Sequence, residues 1–245
     1  MRRPRPSCAG CPALERGLCG ALDDAELQKL SNTAWHRKFR SGQVIHPEGE
    51  VPSSFCAVVS GVVKFMKTLP NGSQQIVGLS GPGDFLGRPF GKETHAAAVA
   101  ASEVEVCWFP RNVIEAVTSQ SNEVKSWFFE AVSDDLEKAQ NWIMLLGRMT
   151  AEQKVAAFLL SVARKSRPDG PLVGEVSVEL PISRTETADY LGLTIETVSR
   201  QIARLRERGV VTVRNTRQVV IHRPDVLETT VENVMPVAGP EPLRA

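Results

Sequence analysis

The stretch from Ser183 to Leu205, SRTETADYLGLTIETVSRQIARL, constrains this chain more than any other. Ser183 followed three residues later by Glu186 is a capping-box start, and the short helix it opens runs through Ala188 to Gly192, a residue tolerant of the left-handed geometry that ends helices. Thr194 then caps a second helix. Two short helices joined by a tight glycine-containing turn form a helix-turn-helix, whose second helix can lie in the major groove of DNA.

On that second helix Glu196, Ser199 and Arg200 project from one face, while Ile195, Val198, Ile202 and Leu205 follow an apolar stripe on another. Arg can donate two hydrogen bonds to guanine and Glu can accept from the cytosine amino group, so this face suits base reading, with Thr194, Thr197 and Arg204 as further contacts. The bland alternative is an amphipathic surface helix carrying an ordinary i, i+4 ion pair. Cap, turn glycine and apolar spacing together favour the reading helix. Gly209 breaks the chain after it, and VVTVRNTRQVVIHR makes a two-stranded wing around Asn215 and Thr216, with Arg214 and Arg217 at its tip expected on phosphates. The net charge of +1 over the 245 residues is unremarkable. Between Thr194 and Arg223, however, seven arginines (200, 204, 206, 208, 214, 217 and 223) face only Glu196 and Glu207, a basic footprint of the kind phosphates require.

The apolar and charged fractions, 42% and 23%, are those of a soluble globular protein of one large or two ordinary domains. No signal peptide opens the chain and its longest apolar run, Ala96 to Ala101, is too short for a bilayer, which points to the cytoplasm and away from a membrane. Five cysteines in a cytosolic chain argue against a disulfide framework. Cys8, Cys11 and Cys19 crowd the N-terminus in CAGCPALERGLC, which is metal-ligand spacing. Three thiolates leave a fourth position to Cys56, Cys107, a histidine or solvent. In SEVEVCWFP, strand alternation puts Val104, Val106 and Trp108 on one face and Glu103, Glu105, Cys107 and Phe109 on the other, so Cys107 is expected to look outward toward an N-terminal arm. Cys56, in the apolar run FCAVVSG, reads as a buried inert thiol. Leu18 and Pro12, beside two of the cysteines, are expected to limit access to the sulfurs.

Between Ser41 and Pro110 short strands alternate with glycine, proline and asparagine signals, among them the hairpin pair Asn71-Gly72, and predict an antiparallel barrel or roll. The period then changes. Phe129, Val132, Leu136, Ala139, Ile143 and Leu146 form an a/d seam, narrower than the stripe of a helix on its own domain, and predict pairing with a second copy of the chain. The alternative is a long intradomain helix. Thr150 to Ala163 reads as a further amphipathic helix, Arg164 to Gly174 as a loop, Glu175 to Leu180 as a strand, and the Pro-rich tail past Glu228 as unstructured.

This order of cysteine cluster, glycine-punctuated roll with PGDFLG, seam helix and LGLTIETVSR in a winged helix-turn-helix resembles the Crp/Fnr family of bacterial transcription regulators, and within it the oxygen-sensing Fnr branch. The resemblance implies an α+β chain: an arm (1–24), a cyclic-nucleotide-binding-like antiparallel β-roll (25–118), a dimerisation helix (119–148), a winged helix-turn-helix (149–227) and a disordered tail (228–245). It implies that Cys8, Cys11, Cys19 and Cys107 ligate an oxygen-labile 4Fe-4S cluster, and that Glu196, Ser199 and Arg200 read TTGAT half-sites of a palindrome in double-stranded DNA. A homodimer that meets RNA polymerase, with the loop Thr68 to Gln74 resembling a polymerase-contacting region, is implied too. The gap between Cys11 and Cys19 is longer than in enteric members, which a flexible arm absorbs. Where cyclic-nucleotide members hold ribose and phosphate, this chain has Arg88, Thr94 and His95. Lacking an arginine at Thr94, it is expected to bind no cyclic nucleotide.

Other readings use the same residues. A haem-based sensor of nitric oxide or carbon monoxide needs an axial ligand from His36, His46, His95 or His222, and a zinc-stabilised regulator would use the four cysteines. An enzyme is disfavoured, because G-x-S-x-G, P-loop, H-E-x-x-H and paired-carboxylate patterns are missing from the sequence.

Overall fold

A computed structural model of the protein describes residues 8, 10–88, 91, 93–167 and 170–232. The chain packs as two compact units, one ending at Asp135 and one beginning at Leu136.

The first unit opens with a short helix α1 (Pro12–Glu15), a 3-10 turn (Leu18–Ala21) and α2 (Asp24–Thr33). Proline begins α1, where a missing N–H costs no hydrogen bond, and a reciprocal Asp23–Glu26 capping box starts α2. Eight strands follow among the described residues: β1 (Trp35–Phe39), β2 (Val44–His46), β3 (Ser54–Ser60), β4 (Val63–Thr68), β5 (Gln74–Ser80), β6 (Phe85–Leu86), β7 (Ala97–Ala100) and β8 (Val104–Pro110). They pair as two four-stranded sheets, β1-β8-β3-β6 and β2-β7-β4-β5. The hairpin at Asn71-Gly72 joins β4 to β5 as expected, with Gly72 at φ 82° and the Asn71 side-chain Oδ1 accepting from the Ser73 N–H at 3.0 Å. β1 lies ahead of Ser41, where strands are first expected. It is an edge strand with four of its five residues exposed, so it carries no alternation to read.

Two cores result from strand parity. Phe39, Cys56, Val58, Val104, Val106 and Trp108 of one sheet meet Ile45, Val63, Ala98 and Ala100 of the other inside the roll. The opposite face of β3 and β8, carrying Phe55, Ala57, Cys107 and Phe109, packs against Ala13, Leu18 and Leu30 and against Ile114, Val117 and Val124. This corrects the expectation of an outward face beside the carboxylates. The face does point away from the roll, but Phe109 is only 2% exposed, because helical segments cover it.

Helix α3 (Arg111–Gln120), not read from the sequence, precedes the 27-residue α4 (Asn122–Arg148). The long helix therefore starts after 119–121, where α3 ends and the Ser121 hydroxyl accepts from the Val124 N–H at 3.4 Å. In the second unit, α5 (Ala151–Ser166) starts at a Thr150–Gln153 capping box, and β9 (Val176–Glu179), α6 (Arg184–Leu191), α7 (Ile195–Glu207), β10 (Val211–Val213), β11 (Gln218–Ile221) and α8 (Pro224–Glu232) follow. One antiparallel sheet has the order β10-β11-β9. Part of the tail expected to be disordered is helical. α8 runs through Glu232, buries Leu227 and pairs Glu228 with Arg164 of α5 at 3.2 Å, while 233–245 lie outside the described residues.

Candidate functional site

The three arm cysteines are placed by local structure. Cys11 caps α1 and its N–H donates to the Cys8 carbonyl at 3.2 Å, and Cys19 sits in the 3-10 turn. Leu18, only 2% exposed, is a core anchor more than a shield, and it holds Cys19 against the sheet. The arm approaches the roll closely at Gly17, where an added Cβ would overlap the Gly83 carbonyl oxygen. Cys8, Cys11, Cys19 and Cys107 thereby line one pocket, whose remaining wall includes Leu14, Leu27, Ala34 and Phe109 and no carboxylate.

The four thiols are soft groups bordering one pocket in largely apolar surroundings. Burial, then the neighbouring thiols Cys107, Cys11 and Cys8, push Cys19 up to about 12, and burial followed by Cys11, Cys8 and Glu105 does the same to Cys107. Positive charge among the sulfurs would relieve both, as a metal-based group does. Among the described residues no three His, Cys, Asp or Glu side chains close on a point as ligands of a single ion would; the sulfurs instead border a shared space. Cys56 is fully buried on the roll side of β3, its thiol raised by burial first and by Cys107 second. His36, considered from the sequence only as a haem ligand, also lines the pocket, a place that could not be read while its strand was not. It stands opposite Cys107 in the β1–β8 register and its Nδ1 meets Glu105 Oε1 at 2.9 Å.

Of the residues expected at the place of a nucleotide site, Thr94 is engaged within the roll. Its hydroxyl donates to the Pro47 carbonyl at 2.5 Å and accepts from the Glu50 N–H at 3.2 Å, while Arg88 and His95 are exposed.

In the second unit the Ser183–Glu186 capping box forms in both directions, and Gly192 adopts φ 60°, ψ 42° to turn the chain. The Thr194 hydroxyl accepts from the Thr197 N–H at 3.2 Å and starts α7. Glu196, Ser199, Arg200 and Arg204 are exposed, and Val198, Ile202 and Leu205 are buried beneath them. Backbone and Thr194 hydrogen bonds at the helix start hold Glu196 below the usual carboxylate range. Arg200 Nη2 lies 3.4 Å from the half-buried Thr197 hydroxyl. One expectation fails here. Ile195 is 40% exposed instead of joining the packed stripe, because the first turn of α7 stands clear of the core. Arg217, also expected on phosphate, is half-buried, with its Nη1 donating to the Pro181 carbonyl at 3.3 Å and its own carbonyl accepting from Leu180 N–H at 2.7 Å. Arg214 remains exposed at the tip.

Along α4, Phe129 (75%), Val132, Leu136, Ala139 and Ile143 (68%) are exposed on one stripe. Leu146 departs from it. It is half-buried, with its Cδ2 3.5 Å from where a Cβ on Gly192 would sit, so it serves the packing of its own unit.

Residues 153–230 match the Crp-like helix-turn-helix domain and residues 36–121 the cyclic nucleotide-binding domain. The chain is 39% identical over 225 residues to a probable transcriptional activator of Rhizobium leguminosarum bv. viciae, spanning 92% of this chain and 93% of the relative. It is 35% identical to the transcriptional activator protein FnrL of Cereibacter sphaeroides, with 87% of each chain covered. FixK2 from Bradyrhizobium japonicum has a similar structure, with a TM-score of 0.73, 31% identity and coverage of 80% of this chain and 96% of that one. With a roll, a capped helix-turn-helix and relatives matched over nearly their full length, the chain belongs to the Crp/Fnr family of transcription regulators.

Proposed function

We propose that this protein is an oxygen-responsive transcription activator that works as a homodimer on palindromic DNA, with a 4Fe-4S cluster held by Cys8, Cys11, Cys19 and Cys107. The observation that carries the reading is that all four cysteines open onto one largely apolar pocket. The cluster, when bound, supplies the reactivity toward oxygen. The chain's own residues supply the coupling. The arm cysteines tie α1 and the turn after it to β8, which seats Ala13 and Leu18 against Phe109. Gly17 seats the arm on Gly83, in the loop just ahead of Phe85. Phe85 in turn meets Trp127 and Phe128 at ring distances of 6.3 and 5.4 Å, beside Phe129, the first residue of the exposed stripe. Docking of the arm is thus felt where the dimer seam starts, and a marginal seam needs only a few kcal/mol to move its monomer–dimer balance by orders of magnitude.

Glu196, Ser199 and Arg200 on α7 suit TTGAT-type half-sites, Arg214 suits phosphate, and the names of the relatives support transcriptional activation. The engagement of Thr94 within the roll favours an effector other than a cyclic nucleotide. No described helix is long and apolar enough to cross a membrane, in keeping with a cytoplasmic site of action.

Purification without oxygen, followed by iron, sulfide and zinc assays, tests the reading. About four irons and four sulfides per chain, lost in air together with dimerisation, are expected. Zinc without sulfide would make the cysteines a structural zinc site, and a haem absorption band would move the sensor elsewhere.

A further inference from the structure

Three contacts converge on the turn of the helix-turn-helix from outside it. Trp142 of α4 stacks on Tyr190 of α6, with ring centroids 4.0 Å apart and planes 27° from parallel. Phe158 of α5 also meets Tyr190, at 6.0 Å and edge to face. Lys154, also on α5, is only 7% exposed, and its Nζ donates to the Leu191 carbonyl at 3.3 Å. That carbonyl belongs to the last residue of α6, where helix carbonyls lack intrahelical partners. A lysine is seldom buried without a task, and this one caps the first helix of the motif from a neighbouring element.

The placement has a geometric consequence. Gly192 and Leu193 lead from that anchored carbonyl directly to Thr194, the cap of α7. The start of the reading helix is therefore fixed to α4 and α5 within a few residues of Glu196. Trp142 also stands one residue before Ile143, on the flank of the exposed α4 stripe. When two copies pair along that stripe, the stack sets how far from the dimer axis, and at what angle, each reading helix emerges. One extra base pair between half-sites moves the second by about 3.4 Å along the duplex and about 35° around it. A reading helix held by a ring stack and a buried hydrogen bond does not follow such a shift.

We propose that Trp142, through Tyr190 and with Lys154, is a positioning residue that determines which spacing between DNA half-sites the protein accepts. This rests on the dimeric, DNA-binding part of the proposed function and is independent of the iron–sulfur group. The test is selection of bound duplexes from a random pool by the full chain, in its dimeric state, and by Trp142→Ala, Trp142→Phe and Lys154→Met, with dimerisation followed by sedimentation and folding by thermal melting. The native chain should recover paired half-sites at one dominant spacer. Trp142→Ala should recover the same half-site sequence, remain dimeric, and lose discrimination against a spacer one base pair longer by roughly tenfold, the scale of one mismatched pair. Trp142→Phe should retain it. Lys154→Met, which keeps the apolar stem and removes only the hydrogen bond, should broaden the spacer in the same direction and covers the case in which Trp142→Ala fails to fold. An unchanged spacer preference in the folded variants overturns the proposal. A native chain that selects only single half-sites overturns the dimeric reading and the proposal together, and that is seen before any variant is compared.

Discussion

At the scale of single residues, two arginines of the second unit separate base reading from charge. Arg200 is exposed on the reading face, so Arg200→Ala is expected to cost about 1 to 3 kcal/mol at one guanine step and to relax the choice there. Arg214→Ala is expected to weaken all DNA alike and lower the salt slope by about 1. Titrations against specific and random duplexes at several salt concentrations distinguish these outcomes, and equal loss on both DNAs would reduce Arg200 to a phosphate contact. Tyr190 offers a test of packing. Burial pushes its hydroxyl up to about 12, above the ordinary 10, so the folded state favours the neutral ring. The stability it contributes is complete below about pH 10 and lost as pH rises toward about 12, a loss that Tyr190→Phe should remove when urea midpoints are compared across that window. The cap and turn residues were legible because their partners lie within four positions in sequence. The fate of Arg217, bonded to Pro181 across the sheet, was not, since nothing near it in the chain announces that carbonyl.

Among the elements, α4 carries the clearest unpaired surface. Its exposed Phe129, Val132, Leu136 and Ile143 would each contribute about 1.5 to 3 kcal/mol if fully covered, and the small Ala139 between them keeps the total modest. Leu136→Glu is therefore expected to leave the chain folded and monomeric, seen as a single light species in sedimentation with an unchanged melting curve. A dimer surviving this change would mean that the stripe meets something other than its copy. The heptad spacing made this seam visible from sequence, yet it also included Leu146, because periodicity cannot tell which end of a long helix is claimed by a neighbouring turn. β1 stayed hidden for the opposite reason. As an edge strand that buries only Phe39 it produces no alternation, and with it went the placement of His36 beside the cysteine pocket.

For the whole molecule, spacing gave three arm thiols and left the fourth position open, strand parity favoured Cys107, and the packing of the arm on β3 and β8 places Cys107 on the arm side and Cys56 inside the roll. The two thiols differ in what protects them. Cys107 is covered by the arm, whereas Cys56 is sealed inside the roll at 0% exposure. Releasing the arm, by oxidation or by removing residues 1–24, is expected to make Cys107 reactive to an alkylating reagent while Cys56 stays unlabelled until the protein is denatured, which intact-mass measurement counts directly. Cys56 labelling in step with Cys107 would mean that the roll opens together with the arm. The same two strands bear on how such a chain tolerates insertions. In the β3–β8 ladder Ala57 faces Cys107 and Cys56 faces Trp108, so neighbouring positions alternate between the two cores. Adding or deleting one residue within β8 would turn Cys107 into the roll and present an indole to the arm, without changing any cysteine. The length of that strand is thus under as strict a demand as the thiols themselves.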